Sequence, residues 1–407
     1  MLEGHHRDDE RNASRRSRSP WVKFAFDVAE RLQRGALTLE TPAGERRVFK
    51  GAAPGPQGHL RIVRERAVGR FVAGGTLGFA EAYLDGDWES RDLPCLLELL
   101  AVNEAAYAGH AGGRPWSRWL ARLHHVVRPN TRRGSRRNIL THYDLGNDFY
   151  AAWLDPGMTY SAARFEHPDQ PLAAAQTAKL KSLARRIGLR ADHHVLEVGC
   201  GWGSFAEFVA REIGARVTAI TISERQHAFA AQRIQAAGLG ERAEVRLQDY
   251  RDVDGRFDRI ASIEMFEAVG ERFWPLFFAR LRECLAPGGL AGLQVITIAD
   301  RYFESYRKGA DFIQRHVFPG GMLPSPAALA REFGRAGLAK VDEITFATDY
   351  ARTLQVWNER FQTAWPQIGA MGFDRRFKRL WEYYLAYCAA GFRTGCTDVA
   401  QIVLRAP

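Results

Sequence analysis

One stretch constrains this chain more than any other: Val195-Leu196-Glu197-Val198-Gly199-Cys200-Gly201-Trp202-Gly203. An apolar run of strand length ends in alternating glycines, and Ser204 opens a helical pattern behind them. Glycine tolerates positive φ and has no Cβ, so such a turn bends sharply and lets a ligand lie against the backbone. A dinucleotide fingerprint wants a glycine at position 204, where serine stands. The pattern, with Glu197 two residues ahead of the first glycine, favours S-adenosylmethionine. Another nucleotide site or a purely structural turn stays open at this point.

Around this turn, strand and helix patterns alternate. Strands are predicted at His194–Val198, Arg216–Thr221, Glu244–Leu247, Arg259–Ile263 and Leu290–Thr297, and helices at Ser204–Glu212, Glu224–Ala237 and Phe273–Cys284. Repeated βα units imply a parallel sheet covered on both faces, with ligands at the carboxyl ends of its strands. Residues 300–330, with Tyr302, Phe303, Tyr306, Phe312 and Phe318, read as an inserted helical lid. Trp357–Cys388 is helical and dense in aromatics, which suits either core packing or the lining of an apolar channel.

A chain of 407 residues exceeds one ordinary domain. Residues 1–21 read as a disordered tail without the apolar core of a signal peptide. Residues 22–110 form a small α+β accessory domain: a hairpin from Ala36–Glu40 and Arg46–Lys50, a strand at Leu60–Arg64, a glycine-rich bend at Gly74, Gly75 and Gly78, and a helix at Pro94–Ala105. Residues 111–138 are a basic linker, and 139–407 the ligand-binding domain.

The net charge of +10 is unevenly spread, since Ala111–Asn138 holds eight arginines and no acid. A solvated linker and a peripheral contact with an anionic membrane both fit; nucleic acid fits less well, because a base-reading pocket would be polar. No apolar run is long enough to span a bilayer. The five cysteines are scattered, which points to a reducing cytosol with neither a disulfide frame nor a metal site.

Candidate chemistry follows the strand ends. At the end of the second strand, which runs out through Thr221-Ile222-Ser223, Thr221 and Gln226 can bond ribose hydroxyls, and Gln248-Asp249-Tyr250 places an acid where an adenine amine would lie. The fourth strand runs into Glu264-Met265-Phe266-Glu267, where a glutamate sits near the reactive methyl or simply favours a helix start.

These segments closely resemble the cyclopropane-fatty-acyl-phospholipid synthase family. The carrying motifs are His142–Tyr150, Leu154-Asp155-Pro156 with Thr159-Tyr160-Ser161, Val195–Gly203, Thr221-Ile222-Ser223, Leu247–Asp252, Met265-Phe266-Glu267, Ile313–Ser325, Asp349-Tyr350 and Tyr383–Arg393. The resemblance implies a Rossmann-like class I methyltransferase sheet with helical lid insertions. Tyr143, Tyr160, Ser161, Glu197, Gly199, Gly201, Gly203, Thr221, Ser223, Gln226, Gln248, Asp249 and Tyr250 would then hold S-adenosylmethionine. It also implies a bicarbonate acting as base, held by a cysteine, a glutamate, a histidine and a tyrosine. Glu267 and Tyr350 match that set, whereas Ala162 stands for the cysteine and Gln294 for the histidine. Cys388 matches a cysteine near the site, where packing is its expected role.

The expected activity is methyl transfer to the double bond of unsaturated phospholipid acyl chains at the cytoplasmic face of a membrane. Cyclopropane formation is the first expectation. A methyl- or methylene-branching enzyme and a non-catalytic lipid-binding protein are the alternatives, and a homodimer is left open.

Overall fold

The computed structural model describes residues 19–111, 145–309 and 311–406. The terminal tail up to residue 18, almost all of the basic linker, and Tyr143 lie outside them. The chain divides at residue 120 into two compact units.

In the first unit, α1 (Pro20–Ala29) takes in the last two residues of the expected tail, because the Ser19 hydroxyl accepts from the Trp21 N–H and proline suits the first turn. β1 (Arg34–Glu40) and β2 (Arg46–Lys50) form the expected hairpin, with Leu37 opposite Phe49. β3 (Ala53–Ile62) is longer than Leu60–Arg64 and lies parallel to β1. Its prolines hid it in the sequence. They are tolerated because β4 (Trp88–Glu89) pairs only with Arg61 and Ile62, leaving the proline stretch on an edge.

The glycine-rich bend proves to be a kink at Gly75 (φ 61°) inside α2 (Arg66–Leu84). α3 (Leu93–Val102), capped by Asp92, and α4 (Glu104–Ala111) follow. Asp87, fully buried, accepts from Arg64, Arg66 and Arg70 at 2.9, 2.9 and 3.2 Å.

The second unit opens with α5 (Asn147–Ala151) and α6 (Leu172–Arg186). Next come β5 (His194–Val198), α7 (Ser204–Phe208) running into a π-turn at Val209–Ile213, β6 (Arg216–Thr221), α8 (Glu224–Ala236) and β7 (Ala243–Leu247). β8 (Phe257–Ile263), α9 (Trp274–Cys284) and β9 (Leu285–Ile298) complete the parallel part. α10 (Asp300–Tyr306), α11 (Phe312–His316) and α12 (Pro326–Ala336) occupy the region expected as a lid, and α13 (Ala347–Ala370) and α14 (Arg375–Arg393) carry the aromatic stripe.

Two strands were not anticipated: β10 (Ala339–Thr345) and β11 (Thr397–Arg405). β11 inserts antiparallel between β9 and β10, so the seven-stranded sheet is mixed rather than purely parallel, in the order β10-β11-β9-β8-β5-β6-β7. β10 is an edge strand and largely exposed, which gives it the polarity of a loop in the sequence. All five cysteines are free. Among the described residues no helix is long and apolar enough to cross a membrane, and no cluster could hold a metal.

Candidate active site

The glycine turn sits at the carboxyl end of the central strand β5. Gly199, Gly201 and Gly203 take φ of 85°, 53° and 84°, which side-chain-bearing residues rarely adopt. The Gly199 and Cys200 N–H groups donate to the Ile220 carbonyl at 3.0 and 2.9 Å, tying the turn to β6. A Cβ on Gly199 would meet Met265 at 2.5 Å and one on Gly203 would meet Ala230 at 2.9 Å, whereas Gly201 borders open space. The first and third glycines therefore serve packing, and the middle one leaves room for a ligand.

Beside the turn, Glu197 is buried with one carboxylate oxygen lacking a hydrogen-bond partner. Burial pushes its pKa up to about 8, against the pull of Lys179. An orphaned acceptor beside open glycine backbone fits the amino-acid portion of S-adenosylmethionine.

The other expected cofactor residues follow the carboxyl ends of β6 and β7, the next strands of the sheet. The Thr221 hydroxyl donates to Gln226 at 3.0 Å, and Ser223 caps α8 by accepting from the Gln226 N–H. Gln248 donates to the Asp252 carbonyl at 2.7 Å. Both carboxylate oxygens of Asp249 are engaged by Arg251, at 2.8 and 2.6 Å. The Tyr250 ring packs edge-on to Phe277 of α9, and burial pushes its phenol up to about 12.

Tyr160 stands in an aromatic cage, with Trp357 at 5.3 Å, Tyr150 at 5.4 Å and Trp153 at 5.6 Å, and its hydroxyl is 2.7 Å from that of Tyr384. Much of the C-terminal stripe is core: Trp357 and Phe361 are fully buried.

Ser161 is held from α6, where the Lys179 ammonium donates to its hydroxyl at 2.7 Å. Lys179 is fully buried, and desolvation pushes its pKa down to about 8 against the attraction of Glu264, Asp155 and Glu197. A lysine on a helix reads as a surface residue even among the buried Ala178, Leu180 and Leu183, so nothing in the sequence singled it out.

The residue that organises the centre is Glu264. It follows β8 with φ of 49°, one of two non-glycine residues among those described with positive φ. Such a conformation costs about 1–3 kcal/mol and persists where the surroundings over-determine it. Three groups do so. Its carboxylate accepts from the Ala162 N–H at 2.8 Å, the Gln294 side-chain amide at 2.7 Å and the Tyr350 hydroxyl at 2.6 Å. Burial raises its pKa above the ordinary glutamate value, and the Tyr350, Gln294 and Ala162 donors and the Lys179 charge counter that rise.

Tyr350 and Gln294 thus meet as expected, but around Glu264 rather than around a separate anion. Bicarbonate does not fit this arrangement, because Glu264 already fills the donors of Ala162, Gln294 and Tyr350. Glu267 lies apart from that set: it accepts from the Ile296 N–H at 2.6 Å, and its other oxygen is buried without a hydrogen-bond partner. Burial, then the nearby charge of Glu264, pushes Glu267 up to about 8. Cys388 sits one turn after Tyr384 on α14, and burial, then Asp311, raises its thiol so that it stays protonated.

A βα-wound sheet with this glycine turn defines a class I S-adenosylmethionine-dependent methyltransferase. Residues 130–402 match the mycolic acid cyclopropane synthetase family, and the chain belongs to it. It is 42% identical to the tuberculostearic acid methyltransferase UfaA1 of Mycobacterium tuberculosis, over 95% of this chain and 93% of that protein. Identity to the cyclopropane-fatty-acyl-phospholipid synthase of Escherichia coli is 34%, over 87% of this chain and 89% of that one. Among solved structures, the mycolic acid cyclopropane synthase CmaA1 complexed with SAH and CTAB aligns with a TM-score of 0.62 at 30% identity, covering 66% of this chain and 98% of its own. The family is one of S-adenosylmethionine-dependent methyltransferases acting on lipid acyl chains.

Proposed function

We propose that this enzyme methylates the double bond of unsaturated phospholipid acyl chains and that Glu264 is its base. S-adenosylmethionine, when bound, supplies an electrophilic methyl group on a sulfonium. Glu197, the Gly201 backbone and the Thr221–Gln226 segment are the residues that would hold it. The cage around Tyr160 excludes water and orients the apolar chain for in-line attack. The alkene π pair forms the new C–CH₃ bond as the C–S bond breaks, leaving positive charge on the neighbouring carbon.

A carboxylate about 4 Å from such a cation offers roughly 4 kcal/mol at an effective dielectric near 20. Each aromatic face adds about 0.5–2 kcal/mol. Glu264 then takes one proton, and the C–H electron pair forms either a ring bond or a new double bond. The observation that carries this reading is the Glu264 carboxylate seated on the donors of Ala162, Gln294 and Tyr350.

A methyl- or methylene-branched product is the reading we favour, because the relative at 42% identity is named a methyltransferase rather than a cyclopropane synthase. Cyclopropane closure is the second reading, supported by the Escherichia coli relative. Labelled S-adenosylmethionine and unsaturated phospholipid vesicles, with mass spectrometry and NMR of the released fatty acids, separate them. A gain of one CH₂ with vinyl or methylene protons supports branching; the same gain with high-field ring protons replaces it with cyclopropanation. Vesicle binding without a mass gain would indicate a non-catalytic lipid-binding protein.

The proposal extends to an anionic membrane surface at the cytoplasmic side. Arg132, Arg133, Arg136 and Arg137 would each contribute roughly 1 kcal/mol there. Changing the four to alanine is expected to weaken vesicle binding mainly at low salt; unchanged binding would reduce the segment to a spacer.

A further inference from the structure

A side-chain amide has two ends, and only one of them suits a carboxylate. Gln294 presents its NH₂ to Glu264 at 2.7 Å, and its carbonyl oxygen faces Gln401, which donates to it at 3.1 Å. The two glutamines are direct partners across the antiparallel β9–β11 pair, and both are fully buried. Gln401 also donates to the Lys179 carbonyl at 3.1 Å, and its own oxygen accepts from the Ser182 hydroxyl at 2.7 Å. The Ser182 oxygen in turn accepts from the Arg164 guanidinium at 2.6 Å.

Polarity along this chain is fixed at its outer end. A guanidinium only donates, which leaves the Ser182 hydrogen for the Gln401 oxygen, and the Lys179 carbonyl, an acceptor, fixes the Gln401 NH₂ at the other end. That leaves the NH₂ of Gln401 facing Gln294, and the NH₂ of Gln294 facing Glu264. Packing alone does not call for this arrangement, because apolar residues of the same shape fill a sheet interior without polar groups to satisfy.

We propose that Gln401 and Ser182 are positioning residues, and that the one-directional hydrogen-bond chain from Arg164 holds the Gln294 amide as a donor to Glu264. The inference rests on Glu264 being the base. The charged or titratable groups facing Glu264 are Lys179 from α6, Tyr350 from α13 and Glu267 from the turn after β8. None of them touches Gln294 through a hydrogen bond among the described residues; the amide is oriented by Gln401 at its oxygen, and by the Ala162 carbonyl, 3.4 Å from its NH₂, at the other end.

The test is the pH profile of kcat for Gln401→Met, an isosteric change, alone and combined with Gln294→Met. Gln401→Met is expected to lower kcat about tenfold and move the acid limb to higher pH, with S-adenosylmethionine affinity unchanged. In the Gln294→Met background it should cost nothing further. An unmoved acid limb, or losses that simply add, would overturn the proposal. Where Gln401→Met does not fold, Ser182→Ala takes its place, with a smaller shift in the same direction expected and an unmoved limb overturning the inference. Glu264→Gln, measured alongside, separates the two failures. Retained turnover there overturns the base and this inference together. Lost turnover there with an unmoved Gln401→Met profile overturns the positioning chain alone.

Discussion

Glu264 and Gln294 are bonded twice. The Glu264 N–H donates to the Gln294 carbonyl at 2.8 Å, and the Gln294 side chain donates back to the Glu264 carboxylate at 2.7 Å. One strand end thereby fixes both the left-handed backbone and the carboxylate it carries. This is why an acid can stand at a point where the family resemblance implies a separate anion.

Glu264→Ala vacates the donors of Ala162, Gln294 and Tyr350. Turnover is expected to fall by about 10²–10⁴-fold, as for loss of a general base. Added formate or bicarbonate should restore part of it. The measurement is methyl transfer against anion concentration, and a flat response would mean that the vacated pocket does not accept a small carboxylate.

Tyr350→Phe removes one donor to an ionised acceptor. A bond of that kind contributes about 1.5–3 kcal/mol, so kcat should drop roughly ten- to hundredfold. The donor favours the ionised form, so its loss raises the Glu264 pKa further. Activity should then disappear at a higher pH as the solution is acidified, which a kcat–pH profile reads directly.

Glu267 has a folded pKa pushed up to about 8 by burial and by Glu264. Its unfolded value is about 4.3. The folded state binds the extra proton between these limits, so the associated stability is complete below the lower value and is lost as pH rises through the upper one. Glu267→Gln keeps an acceptor for the Ile296 N–H and removes the titration. Its melting temperature should fall less between pH 5 and 8 than that of the parent, values that bracket the window apart from its ends. Parallel curves would show that the carboxylate is not proton-linked to folding.

Gly199→Ala forces a Cβ to within 2.5 Å of Met265 at a φ of 85°. A cost of about 1–3 kcal/mol in stability is expected from the backbone alone. Gly201→Ala meets no protein atom within 4 Å. It should spare packing relative to Gly199→Ala while weakening S-adenosylmethionine binding. Calorimetric titration with thermal unfolding distinguishes the two, and equal affinity in the parent and Gly201→Ala would remove Gly201 from the ligand site.

The βα alternation was legible because each parallel strand is a short apolar run bounded by turn residues; β5 and β6 match their expected limits at both ends. β10 was not, because an exposed edge strand has no apolar period to show. The centre of the site was half legible. Tyr350 and Gln294 were found by their place in motifs, but Glu264 gains its role from residues at 162, 294 and 350, brought together only by the fold. Lys179 and Gln401 are polar residues set among apolar neighbours, where a buried polar side chain is the exception that local pattern does not announce.

β11 has a consequence for biosynthesis. It is laid down after β9 and β10 yet lies between them. Until residues 397–405 leave the ribosome, β9 presents an open edge with apolar faces, and β10 has no neighbour to pair with. The nascent polypeptide therefore carries an unfinished sheet while the residues between Ile298 and Thr397 are made, and an unpaired edge of that kind is what holdase chaperones shield from aggregation.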